Sequence, residues 1–338
     1  MNYYVKLVIL ILLILLIFYL FNNYILKKRE HMSMRNNRLN EVLNKYNMSI
    51  DKENFNLYQN DKIIKKYPTS HFNSMESHHL AKDKIKTNSL LLKNKIPVPR
   101  HYIINNNNKK NYINNNKIGF PCVLKPINGM QGRDVYTFIE NQEEFNIILK
   151  RLLKEYDEIM MENQIYGNNY RIFVFNNKVM DIIEREQPYV IGNGYTSLEE
   201  LIKNKNENQV KKNLFATNNL DWKFMDKQGY SRNSIIPDKK KIIITNTINF
   251  HNGANPVRIP ISEIPKENLD MFVKAHKLLN LSCSGVDYMS NDIKIPYNKN
   301  KGSIIELNSS VDTKIHVDAD NKGKSNLLFD NIAKSLIY

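Results

Sequence analysis

The chain has 338 residues, 49 Lys and Arg against 34 Asp and Glu, and a formal net charge of +15. That balance suits nucleic acid, anionic lipid or a polyanionic ligand. The basic residues are scattered, however, many of them in Asn/Lys-rich stretches, and no zinc-finger, homeodomain or RNP-like pattern occurs, so no nucleic-acid partner is expected.

Residues 7–26 are almost purely apolar, interrupted only by Asn22 and Asn23 near the end. About 20 residues at roughly 1.5 Å rise span a hydrocarbon layer of ~30 Å, so the pattern predicts a transmembrane helix after a short tail, residues 1–6. A cleaved leader is the competing reading, but Lys27-Lys28-Arg29 follows the run directly and no Ala-x-Ala-like site appears. Lys27, Lys28, Arg29, Arg35 and Arg38 after the span outweigh Lys6 before it, which places the C-terminal part in the cytosol. Two cysteines alone, Cys122 and Cys283, agree with that side of a membrane, because a secreted domain more often carries a disulfide framework.

Residues 27–67 are polar with little sustained periodicity and read mainly as a linker, with a short helix compatible at residues 38–46, leaving residues 68–338 as the folded domain. Within it, residues 77–95 are helical in pattern and stop at Ile96-Pro97-Val98-Pro99. Strands are predicted at residues 102–104, 119–126 and 135–138, then a helix at 143–153 and a strand at 158–162. Residues 170–175 and 178–185 form a hairpin turning at Asn176-Asn177, residues 241–247 a strand, and residues 269–280 a helix. The runs Gly285-Val286-Asp287 and Ile305-Glu306-Leu307-Asn308 are strand-like. This is an α+β pattern with mostly antiparallel strands, not a repeated βαβ array.

Several polar groups sit on these elements. Glu306 and Asn308 share one face of their strand, and a neighbouring strand bearing Asp287 would complete an all-oxygen cage. Mg²⁺ takes one or two carboxylates plus substrate phosphate oxygens; solvated acids on one face are the plainer alternative. Lys125 ends an apolar strand, where an ammonium needs an anion. The loop after it holds Gly129, Gly132 and Arg133, either an anion cradle or a hairpin that merely needs glycine, and it is not a Walker A loop. Lys84 is a helical lysine, and Glu162 ends a strand before Asn163-Gln164-Ile165; for both, plain solvation is the alternative.

Taken in order, Lys82-Asp83-Lys84, Ile96-Pro97-Val98-Pro99, Val123-Leu124-Lys125-Pro126, Gly132-Arg133, Asn169-Tyr170-Arg171-Ile172-Phe173-Val174, Val190-Ile191-Gly192-Asn193-Gly194, Gly285-Val286-Asp287 and Ile305-Glu306-Leu307-Asn308 resemble the ATP-grasp superfamily of carboxylate–amine ligases, in local wording the ATP-grasp module of cyanophycin synthetase. The resemblance runs from about residue 70 to the C-terminus. It implies an ATP-grasp fold, two α+β lobes gripping ATP between antiparallel sheets. It implies ATP and Mg²⁺, two ions, with Mn²⁺ able to substitute. By position, Lys84 and Lys125 correspond to lysines on the ATP phosphates, and Asn128, Gly129, Gln131, Gly132 and Arg133 to the loop that closes over them. Glu162, Asn163 and Ile165 correspond to the adenine hinge, and Asp287, Glu306 and Asn308 to the metal ligands. Arg171 and Arg185, with Lys125, correspond to catalytic cations near the transferred phosphoryl group or, for the two arginines, near the acidic substrate. Asn252, Gly253 and Arg258 fall at the acceptor-substrate end, where a plain surface loop is the other reading. His316 follows the metal motif as a histidine does in that module.

Two positions depart from the family. Asn169 stands where an acid often binds ribose, and Asp134 replaces a glycine, where its charge and side chain are expected to repel phosphate and stiffen the loop. The expected chemistry is amide formation between a small carboxylate and an amine, an amino acid or peptide, through an acyl phosphate. A kinase that stops at phosphorylation and a non-catalytic basic module are the alternatives. The further domains of full cyanophycin synthetase are not seen here, so polymer synthesis is not expected. Homo-oligomerisation is compatible with the resemblance.

Overall fold

The computed structural model describes residues 39–51, 56–60, 62–68, 72–113, 116–129, 133–211, 216–218, 220–245, 248–319 and 327–337. The membrane span expected at residues 7–26 lies outside these. Among the described residues no helix is long and apolar enough to cross a membrane. The chain divides into two compact units, residues 1–70 with 329–338, and residues 71–328.

The first unit corrects the expectation of a linker. From residue 39 onward it holds a short helix and an antiparallel sheet of β1 (Met48–Ile50), β2 (Asn56–Gln59) and β3 (Lys62–Lys66), in that order. Leu39, Val42, Leu43, Met48 and Leu57 are buried. Strands of three to five residues carry too few alternations to register as period-two patterns, which is why the segment reads as polar.

The second unit opens with α1 (Met75–Lys82) and α2 (Lys84–Lys93), where the sequence suggests one helix. Asp83 divides them: its side chain accepts from the Lys86 backbone N–H at 3.0 Å and caps the second helix. That break places Lys84 at the first position of α2.

A four-stranded antiparallel sheet runs β4 (His101–Asn105), β7 (Glu158–Asn163), β5 (Cys122–Pro126), β6 (Tyr136–Ile139). One face packs on α3 (Gln142–Glu155) through Phe145, Leu149 and Leu152 against Ile104, Cys122, Leu124, Ile159 and Met161. Alternation then turns Val123, Lys125 and Glu162 to the other face. A five-stranded sheet runs β12 (Asn255–Arg258), β9 (Lys178–Glu186), β8 (Asn168–Phe175), β13 (Cys283–Ser290), β14 (Ser303–Asn308). Its back packs on α4 (Lys266–Leu278), where Met271, Phe272 and Ala275 meet Ile172, Val174, Ile182, Val286 and Tyr288. The β8–β9 hairpin turns at Asn176 and Asn177, both at positive φ, as a two-residue turn of this hand requires. Of the strand predicted at residues 241–247, the described residues form β11 (Lys241–Ile243), which pairs with β10 (Tyr189–Ile191) in a two-stranded sheet, and residues 246–247 lie outside the described residues.

Candidate active site

Strand register brings distant residues together on the front of the five-stranded sheet. Asp287 pairs with Arg171 on one side and Glu306 on the other, Gly285 pairs with Asn308, and Asn169 pairs with Arg185. With period-two alternation, Asn169, Arg171, Arg185, Asp287, Glu306 and Asn308 share one face. The four-stranded sheet presents Val123, Lys125 and Glu162 opposite them, and the two faces bound a cleft of about 690 Å³.

Lys125, Glu162, Arg171, Arg185 and Asp287 in the cleft are charge-paired. Lys125 Nζ lies 2.7 Å from Glu162 Oε2, with both side chains nearly buried. The other Glu162 oxygen is buried and accepts no hydrogen bond. Arg171 Nη1 and Arg185 Nη2 approach the same oxygen of Asp287, at 3.0 and 2.8 Å. Asn308 Nδ2 donates to the other Asp287 oxygen at 3.5 Å. Lys84 is not on the cleft wall, but its Nζ reaches within 3.8 Å of Glu306 and donates to the Gly129 carbonyl at 3.2 Å. Burial lowers the Lys84 ammonium below the usual lysine range, opposed mainly by Glu306. Burial also lowers the Arg185 guanidinium, opposed by Asp287.

Arg133, Glu162, Asn163, Gln164 and Ile165 line the cleft. Asn128 is exposed and off its wall, and Gln131 and Gly132 lie outside the described residues. Gly129 is needed for space: a Cβ there would stand 2.8 Å from the Pro126 ring. Asn169 lines the cleft with its side-chain oxygen accepting from Arg185 Nε at 2.6 Å, so it positions an arginine that Asp287 also holds.

Asp134 corrects the expectation of repulsion. It occupies the left-handed region, φ 55°, which explains a glycine at this position elsewhere. Its carboxylate accepts from Tyr156 Oη at 2.6 Å and lies 3.9 Å from Arg151, and it is not part of the cleft wall.

Of the residues expected at the acceptor-substrate end, Asn252 lines the cleft, as does its neighbour Asn249. Gly253 and Arg258 do not. Gly253, at φ 79°, is pressed on Thr217. Arg258 donates from Nε and Nη2 to Asp181 at 3.0 and 3.1 Å, and His316 Nδ1 meets the same carboxylate at 3.1 Å. Burial raises the Asp181 carboxyl, but hydrogen bonds and charge from His316 and Arg258 outweigh it and hold the group below its ordinary value. The expected substrate contact at Arg258 is therefore, in this structure, a buried ion pair under the far end of the sheet.

The donor set suits Mg²⁺. Asp287, Glu306 and Asn308 offer only oxygen or amide groups on adjacent strands. Among the described residues no group of three or more His, Cys, Asp or Glu could hold a metal alone. Phosphate oxygens would have to complete the shell, which is how Mg²⁺ is ordinarily bound.

Residues 81–189 match the RimK-like ATP-grasp domain family. The chain is 28% identical over 245 residues to cyanophycin synthetase of Trichormus variabilis, covering 70% of this chain and 27% of that protein. It is 26% identical over 250 residues to the glutathione biosynthesis bifunctional protein GshAB of Clostridium perfringens, covering 70% and 32%. A crystal structure of the bifunctional glutathione synthetase from Pasteurella multocida superposes with a TM-score of 0.58 at 23% identity, covering 87% of this chain and 41% of that one. This chain thus spans about a third or less of the curated relatives it matches. Lys84, Lys125 and the two facing antiparallel sheets accord with the match of residues 81–189 to the RimK-like ATP-grasp domain family.

Proposed function

We propose that the chain is an ATP-dependent ligase that joins a carboxylate to an amine. The observation that carries this reading is the convergence of Lys125, Glu162, Arg171, Arg185, Asp287, Glu306 and Asn308 on one cleft from six separate strands, with Lys84 reaching in from α2. A carboxylate is an anion without a good leaving group. Transfer of the γ-phosphoryl group of ATP to one of its oxygens gives an acyl phosphate and ADP. The amine nitrogen then attacks the acyl carbon, the C–O bond to phosphate breaks, and phosphate departs with that oxygen while the amine loses a proton.

The chain's own groups supply position and charge. Lys84, Lys125, Arg171 and Arg185 neutralise the phosphoryl oxygens, in a setting where water is excluded and such contacts are strong. Glu162, Asn163 and Ile165 edge the nucleotide, and residues 128–133 cover the phosphates and keep water from the acyl phosphate. Asp287, Glu306 and Asn308 would hold Mg²⁺, which would offset phosphate charge. Lys125, Arg171 and Arg185, which pair with Glu162 and Asp287, would exchange those acids for phosphate oxygens.

The finer proposal is that residues 7–26 anchor this ligase in a bilayer with its catalytic part in the cytosol. Its support is the apolar run and the basic residues that follow it. Carbonate extraction of the expressed full chain tests it, since release into the supernatant contradicts an anchor.

For the activity, purified protein with Mg-ATP and a panel of amino acids and peptides should release ADP and phosphate only when both a carboxylate and an amine are present. A stable phosphorylated product without amide would replace the ligase reading with a kinase.

A further inference from the structure

Lys205 lies on a helix that the sequence analysis missed, Leu198–Lys211. Its signature was present: Ser197, whose side chain accepts from the Glu200 backbone N–H at 3.3 Å, then Leu198, Leu201 and Ile202 on one side. Leu198 and Ile202 face a small core with Val190, Met225, Ile236 and Ile242. Two turns beyond Leu198 on the same side of the helix, Lys205 meets Thr217. Lys205 Nζ donates to Thr217 Oγ1 at 3.3 Å and to Gln209 Oε1 at 3.1 Å. Asn206 clamps the same loop, donating to the Thr217 carbonyl at 3.1 Å and accepting from its N–H at 2.9 Å.

This loop abuts the acceptor end of the cleft. Thr217 is buried against Gly253, and the Asn218 N–H donates to the side chain of the cleft-lining Asn252 at 3.0 Å. Lys84, Lys125, Arg171 and Arg185 each face an acid, but the hydrogen-bond partners of Lys205, Gln209 and Thr217, are neutral. Between Glu207 and Asp221 the chain carries no Asp or Glu at all. A partly desolvated ammonium among an amide and a hydroxyl, with a third N–H still to give, is built for one anion.

We propose that Lys205, with Thr217 and Gln209, binds the free α-carboxylate of the amine substrate, so that the acceptor is an amino acid entering with its nitrogen toward the cleft. This rests on the ligase reading above. An acceptor amino acid carries a carboxylate that must not be activated, and a cation remote from the phosphate site keeps it there. Burial holds the Lys205 amine down to about 8, in accord with a cation awaiting its counter-charge.

Competitive acetylation of the full chain near pH 8, read by mass spectrometry lysine by lysine, tests this. The probes are an equimolar mixture of free amino acids and, separately, the same mixture as carboxamides, both with Mg²⁺ and a non-hydrolysable ATP analogue. Free acids at about twice their Kd should slow labelling of Lys205 about threefold, and carboxamides should not. Equal labelling of Lys205 in the two mixtures overturns the proposal. Lys84 and Lys125 in the same digest report on the nucleotide. If the analogue protects them while Lys205 stays indifferent to carboxylate, the acceptor site fails and the ligase reading stands. If the analogue protects neither, the ligase reading fails and this proposal with it.

Discussion

Arg185 Nη2 stands 2.8 Å from Asp287 Oδ1, the oxygen that Arg171 Nη1 also approaches at 3.0 Å. Under the proposed roles, a metal ligand is thus held by two phosphate-binding groups. Removing either kind of partner strands the other in a largely buried site. Asp287→Ala should abolish turnover and also lower stability, whereas Asp287→Asn should abolish turnover with a smaller stability loss. Paired urea melts and ADP-release assays separate these effects, and retained activity in either variant contradicts the metal assignment.

Arg185→Ala should reduce kcat by about 10²–10³-fold, the usual scale for losing one preorganised charge on a reacting group. Nucleotide affinity, measured by calorimetry with a non-hydrolysable analogue, should change far less. A change confined to nucleotide affinity would move Arg185 from the reacting phosphoryl group to the nucleotide.

Lys125 and Glu162 form the most enclosed pair in the cleft. Lys125→Met leaves Glu162 buried and unpaired, which costs about 3–5 kcal/mol. The nucleotide-free protein should therefore unfold at markedly lower urea, and Mg-ATP should no longer raise its midpoint. An unchanged midpoint without nucleotide would mean that Glu162 finds another partner or a proton.

Asp134→Gly should leave the KM for ATP within about threefold, because the carboxylate bonds Tyr156 away from the cleft. Stability should fall by about 1 kcal/mol from the lost hydrogen bond, partly offset by the ease of glycine at this positive φ. A large gain in ATP affinity would restore the expectation that Asp134 repels phosphate.

His276 is buried, bonded through Nδ1 to Ser284 Oγ at 2.8 Å, and burial lowers it to about 4. The unfolded imidazole takes up its proton near 6.5, so between pH 6.5 and 4 the unfolded chain binds more protons than the folded one. Stability from this group is present above pH 6.5 and is lost as pH falls through that window, by up to roughly 3 kcal/mol. Urea melts at pH 7.5 and 4.5 should show a steeper loss for the wild type than for His276→Asn. Equal losses would contradict a neutral buried imidazole.

Much of the site was legible because its elements are long and end in unusual residues. Lys125 after an apolar run, and the acids on β13 and β14, stand out locally, and strand alternation alone puts Glu306 and Asn308 on one face, whereas the pairing of Asp287 with Glu306 is set by the register of the two strands. Asp83 dividing α1 from α2 was hidden, because a helical pattern continues through it and only the cap bond reveals the break. The fate of Arg258 depended on Asp181, 77 residues away, which no local pattern indicates. The three-stranded sheet of the first unit consists of strands too short to register as periodic.

The oxygen bookkeeping of the reaction tests the central claim most directly. With the carboxylate substrate that the panel identifies labelled in both oxygens with ¹⁸O, the phosphate released during amide formation should carry one ¹⁸O per turnover. Phosphate released without any label would contradict passage through an acyl phosphate in this cleft.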